Sequence, residues 1–346
     1  MVRPRISNAS AFVMAMSLSD SLGSRADEHA TLAACRNRHI PADEKGEPAE
    51  HLLLFEMGLA FDQLADACCE DRVVRHVPIV VRETTRMRLE LEFEDTFEGA
   101  TLDPARWLPF YLPHWSSRER AAARYELRDG VLRLRIEAGQ QPWCPEFDGE
   151  IKVSSLQTGA RTGQHRFNPA AVVREQQSGV RLYTSHYGRI EVRAKATDDP
   201  EAMVALWLIG YEGGPQSAEI CVCEIFGRDV GPAETGVGVG VHPFDDPDLG
   251  DDFSREPVAI DAREFHVYTA DWTPDGVTFS VDGEPIKTTD QSPSYPLQLM
   301  LGIYAFPATD RQPASRYPKE FVVDYVRGYG LAAAMSGSDP KTRGRS

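Results

Sequence analysis

Long apolar runs are missing from this sequence. Nothing in it approaches the ~20 consecutive apolar residues that a membrane-crossing helix requires, so no transmembrane helix and no membrane partner is expected. Cysteine is scarce as well. The six present are Cys35, Cys68, Cys69, Cys144, Cys221 and Cys223. They fit neither a zinc-ligand spacing nor a small disulfide framework, so reduced thiols are expected, with no metal and no cofactor. Basic charge is short: 37 Lys and Arg face 53 Asp and Glu, a formal charge of −16. The stretch 87–330, with 24 basic and 39 acidic residues, carries most of it. Such a surface repels phosphate and sulfate backbones, which argues against nucleic acid and for a neutral partner.

Aromatic residues are absent by region: all 5 Trp and all 11 Tyr lie after residue 87. Residues 1–86 therefore read as an extension that is partly helical or disordered. Leu52, Leu53, Phe55, Leu59 and Leu64 follow Pro48 at helical spacings, and Ala49–Glu70 is the expected helix. Met87 stands directly before the first strong strand pattern, which leaves two readings: a native start there, or a small appended helical segment. Near the N-terminus, the apolar stretch Ala11–Leu18 runs into Ser19-Asp20 without a small-x-small cleavage site, so a secretion signal is not expected. Residues 331–346 read as a disordered tail.

From 87 to 330 short alternating strands are split by turn signals. Arg124–Leu127 and Val131–Ile136 flank Asp129-Gly130, a hairpin turn. Val277, Phe279 and Val281 alternate between Pro274-Asp-Gly276 and Asp282-Gly283. Tyr187–Ala196, Val204–Ile209, Glu219–Phe226, Gly236–Val241, Phe265–Asp271, Gln298–Tyr304 and Phe321–Tyr329 also read as strands. About a dozen strands with almost no helical period predict an all-β fold, a large antiparallel β-sandwich.

The most informative stretch is Ala218-Glu219-Ile220-Cys221-Val222-Cys223-Glu224-Ile225-Phe226. Two carboxyls on one strand are what a retaining glycosidase needs, one to attack the anomeric carbon and one to protonate the leaving oxygen. Strand period puts residues 219, 221 and 223 on one face and Glu224 on the other. A one-residue bulge near Val222-Cys223 would return Glu224 to the face of Glu219. Spacing alone favours a plainer reading, two solvated glutamates on an edge strand.

The surroundings change that balance. The segment resembles the glycoside hydrolase family 16 signature, Glu-(Ile/Leu)-Asp-x-x-Glu in its bulged form. Tyr187-Gly-Arg-Ile-Glu-Val-Arg-Ala-Lys195 and Ala205-Leu-Trp-Leu208 resemble the strands before it, and Phe265–Gly276, Val281-Asp-Gly283 and Phe321-Val-Val-Asp-Tyr-Val-Arg327 those after it. Phe93-Glu-Asp-Thr-Phe97 and Leu102–Trp107 resemble the family's opening. The resemblance covers 87–330 and implies a concanavalin A-like jelly roll with a concave glycan cleft. It also implies a retaining endo-hydrolase in which Glu219 is the nucleophile and Glu224 the general acid/base. A neutral β-glucan, β-1,3 or β-1,3-1,4 linked, is the expected polysaccharide substrate, and the domain is expected to act as a monomer. A weakened glycan-binding protein or a transglycosylase on the same fold are the alternatives.

One departure stands out. Cys221 occupies the position of the family's middle Asp, an auxiliary catalytic position. A thiol between two carboxyls stays neutral, so the missing charge is expected to lower the pKa of Glu224 and weaken its role as proton donor near neutral pH. For substrate binding, Trp207 and Trp115 are candidates to stack on a sugar face, and His242 could reach the cleft near the carboxylates. Trp107 and Trp272 read as core. The glycines of Gly236–Gly240 lead into Pro243 rather than a helix, so they form no phosphate loop and instead leave room for close approach. The acidic run Asp245–Asp252 lacks an EF-hand spacing.

Overall fold

The structure is a computed structural model that describes residues 88–307 and 316–332. The expected helix over 49–70, the rest of the extension and the tail beyond 332 lie outside the described residues. Among the described residues the chain folds as strands β1 (Leu89–Asp95), β2 (Tyr125–Arg128), β3 (Val131–Ile136), β4 (Lys152–Gln157), β5 (Gly159–Ala160), β6 (Val180–Arg181) and β7 (Thr184–Ser185). These are followed by β8 (Gly188–Lys195), β9 (Ala202–Gly210), β10 (Glu219–Phe226), β11 (Thr235–His242) and β12 (Ser254–Val258). The last are β13 (His266–Thr273), β14 (Gly276–Val281), β15 (Glu284–Thr289), β16 (Leu297–Ala305) and β17 (Lys319–Leu331). Two short helices, α1 (Arg118–Ala121) and α2 (Pro145–Asp148), sit in the connections.

All pairings are antiparallel, and two large sheets result: an all-β jelly roll. One sheet runs β15-β14-β13-β8-β17-β3-β2 with β1 also on β17; the other runs β12-β11-β10-β9-β16-β4 with β7 also on β16. The hairpin expected at Asp129-Gly130 joins β2 to β3, both turn residues taking positive φ (58° and 70°) as a type I′ turn requires. Between the sheets lies the main core. Leu132, Leu134, Ile190, Val192, Tyr268, Phe279, Phe321 and Val323 face Val204, Leu206, Leu208, Ile220, Ile225, Leu299 and Leu301. Trp107 and Trp272 belong to it, as read from the sequence.

Strand β9 shows why a site forms on the far side of the second sheet. Ala202–Gly210 contains no polar residue and is buried along its whole length, the signature of a strand covered on both faces. Val204, Leu206 and Leu208 enter the main core, whereas Met203, Ala205, Trp207 and Ile209 enter a second apolar cluster. That cluster is completed by loop residues Tyr111, Leu112, Trp115, Trp143, Phe147 and Phe167. Loops are thereby packed down onto the outer face of the sheet, where they wall a pocket.

Candidate active site

Strand β10 is an interior strand between β9 and β11, not an edge. Its pairing with β9 runs Cys221 to Trp207 and then Cys223 to Leu206, so Val222 is an extra residue opposite no partner. This is a β-bulge at the expected place. Its effect is visible in which way the side chains go. Ile220, Val222, Cys223 and Ile225 pack into the main core, and Glu219, Cys221, Glu224 and Phe226 line the pocket. Without the extra residue, strict alternation would send Glu224 into the core.

The pocket is completed by Tyr111, Asp148, His165, Phe167, Met203, Ala205, Trp207, Tyr304 and Phe306. Its walls are largely apolar and enclose the carboxyls tightly: Glu219 is 7% exposed and Glu224 4%. Burial penalises the ionised form. It pushes Glu219 up to about 7, with His242 pulling down and Asp251 pushing up. Glu224 is raised to about 8, by burial first and then by the charge of Glu219. The acid expected to be weakened by the missing charge at position 221 is therefore held protonated by burial instead. Cys221 is buried, and burial together with both glutamates lifts its thiol well above the ordinary value, so it is neutral. Its Sγ faces the Gly238 carbonyl oxygen at 3.9 Å, the geometry of a weak S–H donor. The three cysteines among the described residues, Cys144, Cys221 and Cys223, are free thiols.

Trp207 lines the pocket with its ring near Tyr304 (centroids 6.1 Å apart). Trp115 does not, and the expectation that it stacks on a sugar is corrected. Its side chain is fully buried in the second cluster, and its indole N–H donates to the carbonyls of Gln164 (3.1 Å) and His165 (3.2 Å). It supports the wall from behind because the segment around residues 164–167 closes over it. His242, at the end of β11, is paired in register with Glu219. Its Nδ1 lies 3.2 Å from an Asp251 carboxylate oxygen, and its ring stacks on Phe253 at 4.7 Å. Burial presses its imidazolium down, but the Asp251 hydrogen bond and the two glutamates outweigh this, so its pKa is raised.

The glycines of β11 make that arrangement possible. Gly240 has φ +144°, and a Cβ there would lie 2.2 Å from the Asp252 carbonyl oxygen. Segment 251–253 can therefore cross β11 at backbone contact and bring Asp251 and Phe253 to His242. Gly240→Ala should lower stability by about 2–4 kcal/mol through strain and overpacking. Thermal melting measures this, and a Tm within a degree of the parent would mean that the crossing is not held this closely.

Several site residues are not signalled by the sequence pattern. Asp148, at the end of α2, accepts a hydrogen bond from the Trp143 indole (2.6 Å), and burial raises it to about 7. Tyr111 and Tyr304 meet edge to face at 5.5 Å. His165 places Nε2 3.9 Å from a Glu219 carboxylate oxygen.

Comparison with known proteins fits this geometry. The family model for Glycosyl hydrolases family 16 matches residues 170–327, which includes β10. An endo-1,3-1,4-beta-glycanase, EglC, of Rhizobium meliloti (strain 1021) is 27% identical over 244 residues, covering 68% of this chain and 46% of its own. The chain spans less than half the length of the curated relatives it matches. Among solved structures, the GlcNAcα1-4Gal-releasing endo-β-galactosidase of Clostridium perfringens aligns with TM-score 0.64 and 29% identity, over 70% of this chain and 62% of that one. The catalytic domain of an endo-1,3-β-glucanase (laminarinase) from Thermotoga petrophila RKU-1 aligns with TM-score 0.53 and 18% identity, over 71% and 99%. On fold, signature and family-model match over residues 170–327 together, the chain is similar to glycoside hydrolase family 16.

Proposed function

We propose that this domain is a retaining, endo-acting glycoside hydrolase of a neutral β-glucan, β-1,3 or β-1,3-1,4 linked. The observation that carries the reading is the bulge of β10, which turns Glu219 and Glu224 into one enclosed pocket. Glu219 attacks the anomeric carbon while Glu224 gives its proton to the leaving oxygen. Glu224 then takes a proton from water, which releases the sugar from Glu219. Trp207 offers apolar surface to the bound sugar, and Asp148 and His242 offer hydrogen-bonding groups beside it. The acidic surface supports a neutral polymer over a sulfated one, and the likeness to the glycanase of Rhizobium meliloti supports a mixed-linkage or β-1,3 glucan. The likeness to the Clostridium perfringens enzyme supports a second reading, a β-galactoside-containing glycan. Reducing-sugar release from laminarin, lichenan, xyloglucan, agarose and a β-galactoside glycan decides between them. Release from none would favour a glycan-binding role.

The pH profile is a sharper test. Attack needs Glu219 ionised, which happens above about 7, and leaving-group protonation needs Glu224 protonated, which holds below about 8. kcat/KM against pH should trace a narrow bell between those limbs. A plateau extending down to pH 5 would show that the nucleophile ionises like an ordinary carboxyl.

A further inference from the structure

Glu219 needs something to orient it, and its own strand supplies little. The neighbouring thiol, Cys221, is aimed at the Gly238 carbonyl and is a weak donor at best. The imidazole of His165 is differently placed. Nε2 stands 3.9 Å from the Glu219 carboxylate, and both side chains are more than nine-tenths buried.

The backbone of His165 is held where it is from several sides. Its φ is +51°, a left-handed conformation that few side-chain-bearing residues adopt. Its carbonyl accepts from the Trp115 indole and from the Phe167 amide (3.0 Å). The preceding Gln164 is tied to His114 through its carbonyl (2.9 Å) and to the Gly210 carbonyl through its side chain (3.0 Å). The His165 ring meets Phe244 edge to face at 4.7 Å, and Phe244 is itself left-handed at φ +49°. Unfavourable backbone that is over-determined by its surroundings gathers at functional sites.

We propose that His165 is a positioning residue: its Nε2–H points at the Glu219 carboxylate in the free protein, holding it ionised and turned toward the anomeric carbon, and closes to a full hydrogen bond as a glycan enters. This rests on the reading of Glu219 as nucleophile. Contacts of this kind are often long before substrate binds and tighten when it does. His165 itself stays neutral, because burial and the neighbouring His114 and His242 press its pKa down to about 3. The contact is therefore a neutral N–H on a carboxylate, and the group that titrates in the working range is Glu219. The other groups facing Glu219 are Glu224 and Cys221 on β10, His242 and Asp251 from β11 and the loop after it, and Tyr111, Tyr304 and Asp148 across the pocket. All of them remain when His165 is replaced.

The test compares the full chain with His165→Asn, which suits left-handed backbone but falls short of Glu219, and His165→Gln, which keeps an amide donor. Carboxyl resonances of ¹³C-labelled glutamate, with Glu219 assigned by its loss in Glu219→Gln, report the ionisation without any substrate. The Glu219 midpoint should rise by about one pH unit in the Asn variant, a tenfold loss of ionised form at fixed pH, and by less in the Gln variant. On a cleaved glycan, the acidic limb of kcat/KM should move by the same amount, with kcat falling about tenfold and KM little changed. An unmoved Glu219 midpoint in a folded Asn variant would overturn the proposal and leave His165 a packing residue. If the parent cleaves no glycan, the hydrolase reading fails by itself, and the titration still decides the role of His165.

Discussion

Glu219→Gln should remove hydrolysis of every glycan the parent cleaves, by at least about 10⁴-fold, including substrates with activated leaving groups. The amide cannot form the glycosyl-enzyme, and no leaving group compensates for a missing nucleophile. Glu224→Gln should behave differently, losing about 10²–10⁴-fold on polymers and much less on activated glycosides, which need no proton. Azide should restore the Glu224 variant on activated glycosides by attacking the glycosyl-enzyme directly. Near-parental turnover in Glu219→Gln would reassign the nucleophile. Stability should move the opposite way from activity. Both carboxyls have folded-state pKa values above the ordinary 4.5, about 7 and about 8. Their stabilising contribution is complete below 4.5 and is lost as pH rises through the folded values. At pH 9 the parent therefore buries ionised groups, and either Gln variant should be more stable than it by on the order of 3 kcal/mol. At pH 4 the difference should vanish, which melting curves at the two pH values can check.

The sandwich was legible because its strands alternate between clear turns, and β10 was legible down to its bulge. Glu-x-Cys-x-x-Glu places both glutamates on one face only if a residue is added, and Val222 is that residue. Strand β4 escaped notice because Ser154 and Ser155 interrupt its apolar run, although both are buried against neighbours. Strands β12 and β15 carry Pro257 and Pro285, which argue against strands in general but are tolerated here because both strands lie at sheet edges. Trp115 misled for a tertiary reason. It sits in a loop, but the segment bearing Gln164 and His165 covers it. The same packing delivers Tyr111, Asp148 and His165 to the pocket from segments with no periodic pattern, and local sequence carries no signal of that delivery.

Cys221→Asp should cost about 3–5 kcal/mol at pH 8, because it buries a third carboxyl with no donor to meet it. The thiol it replaces is 1% exposed, and its hydrogen-bond acceptor, the Gly238 carbonyl oxygen, would repel a carboxylate. The added group also joins the titration of the other two, so the protons come off in steps that belong to the cluster. Each added negative charge raises its neighbours' proton affinity, and both limbs of the pH profile should move up by about one unit. The consequence for activity changes sign with pH. At pH 7 the variant should be slower than the parent, because less Glu219 is ionised. At pH 9 it should be faster, because Glu224 keeps its proton where the parent has lost it. Cys221→Asn, equal in shape without the charge, should leave both limbs in place. The measurement is kcat/KM against pH for parent, Asp and Asn forms, with melting temperatures taken in the same buffers. Parallel profiles that never cross, with unchanged melting, would mean that position 221 is electrostatically silent in solution and that burial alone sets the two glutamates.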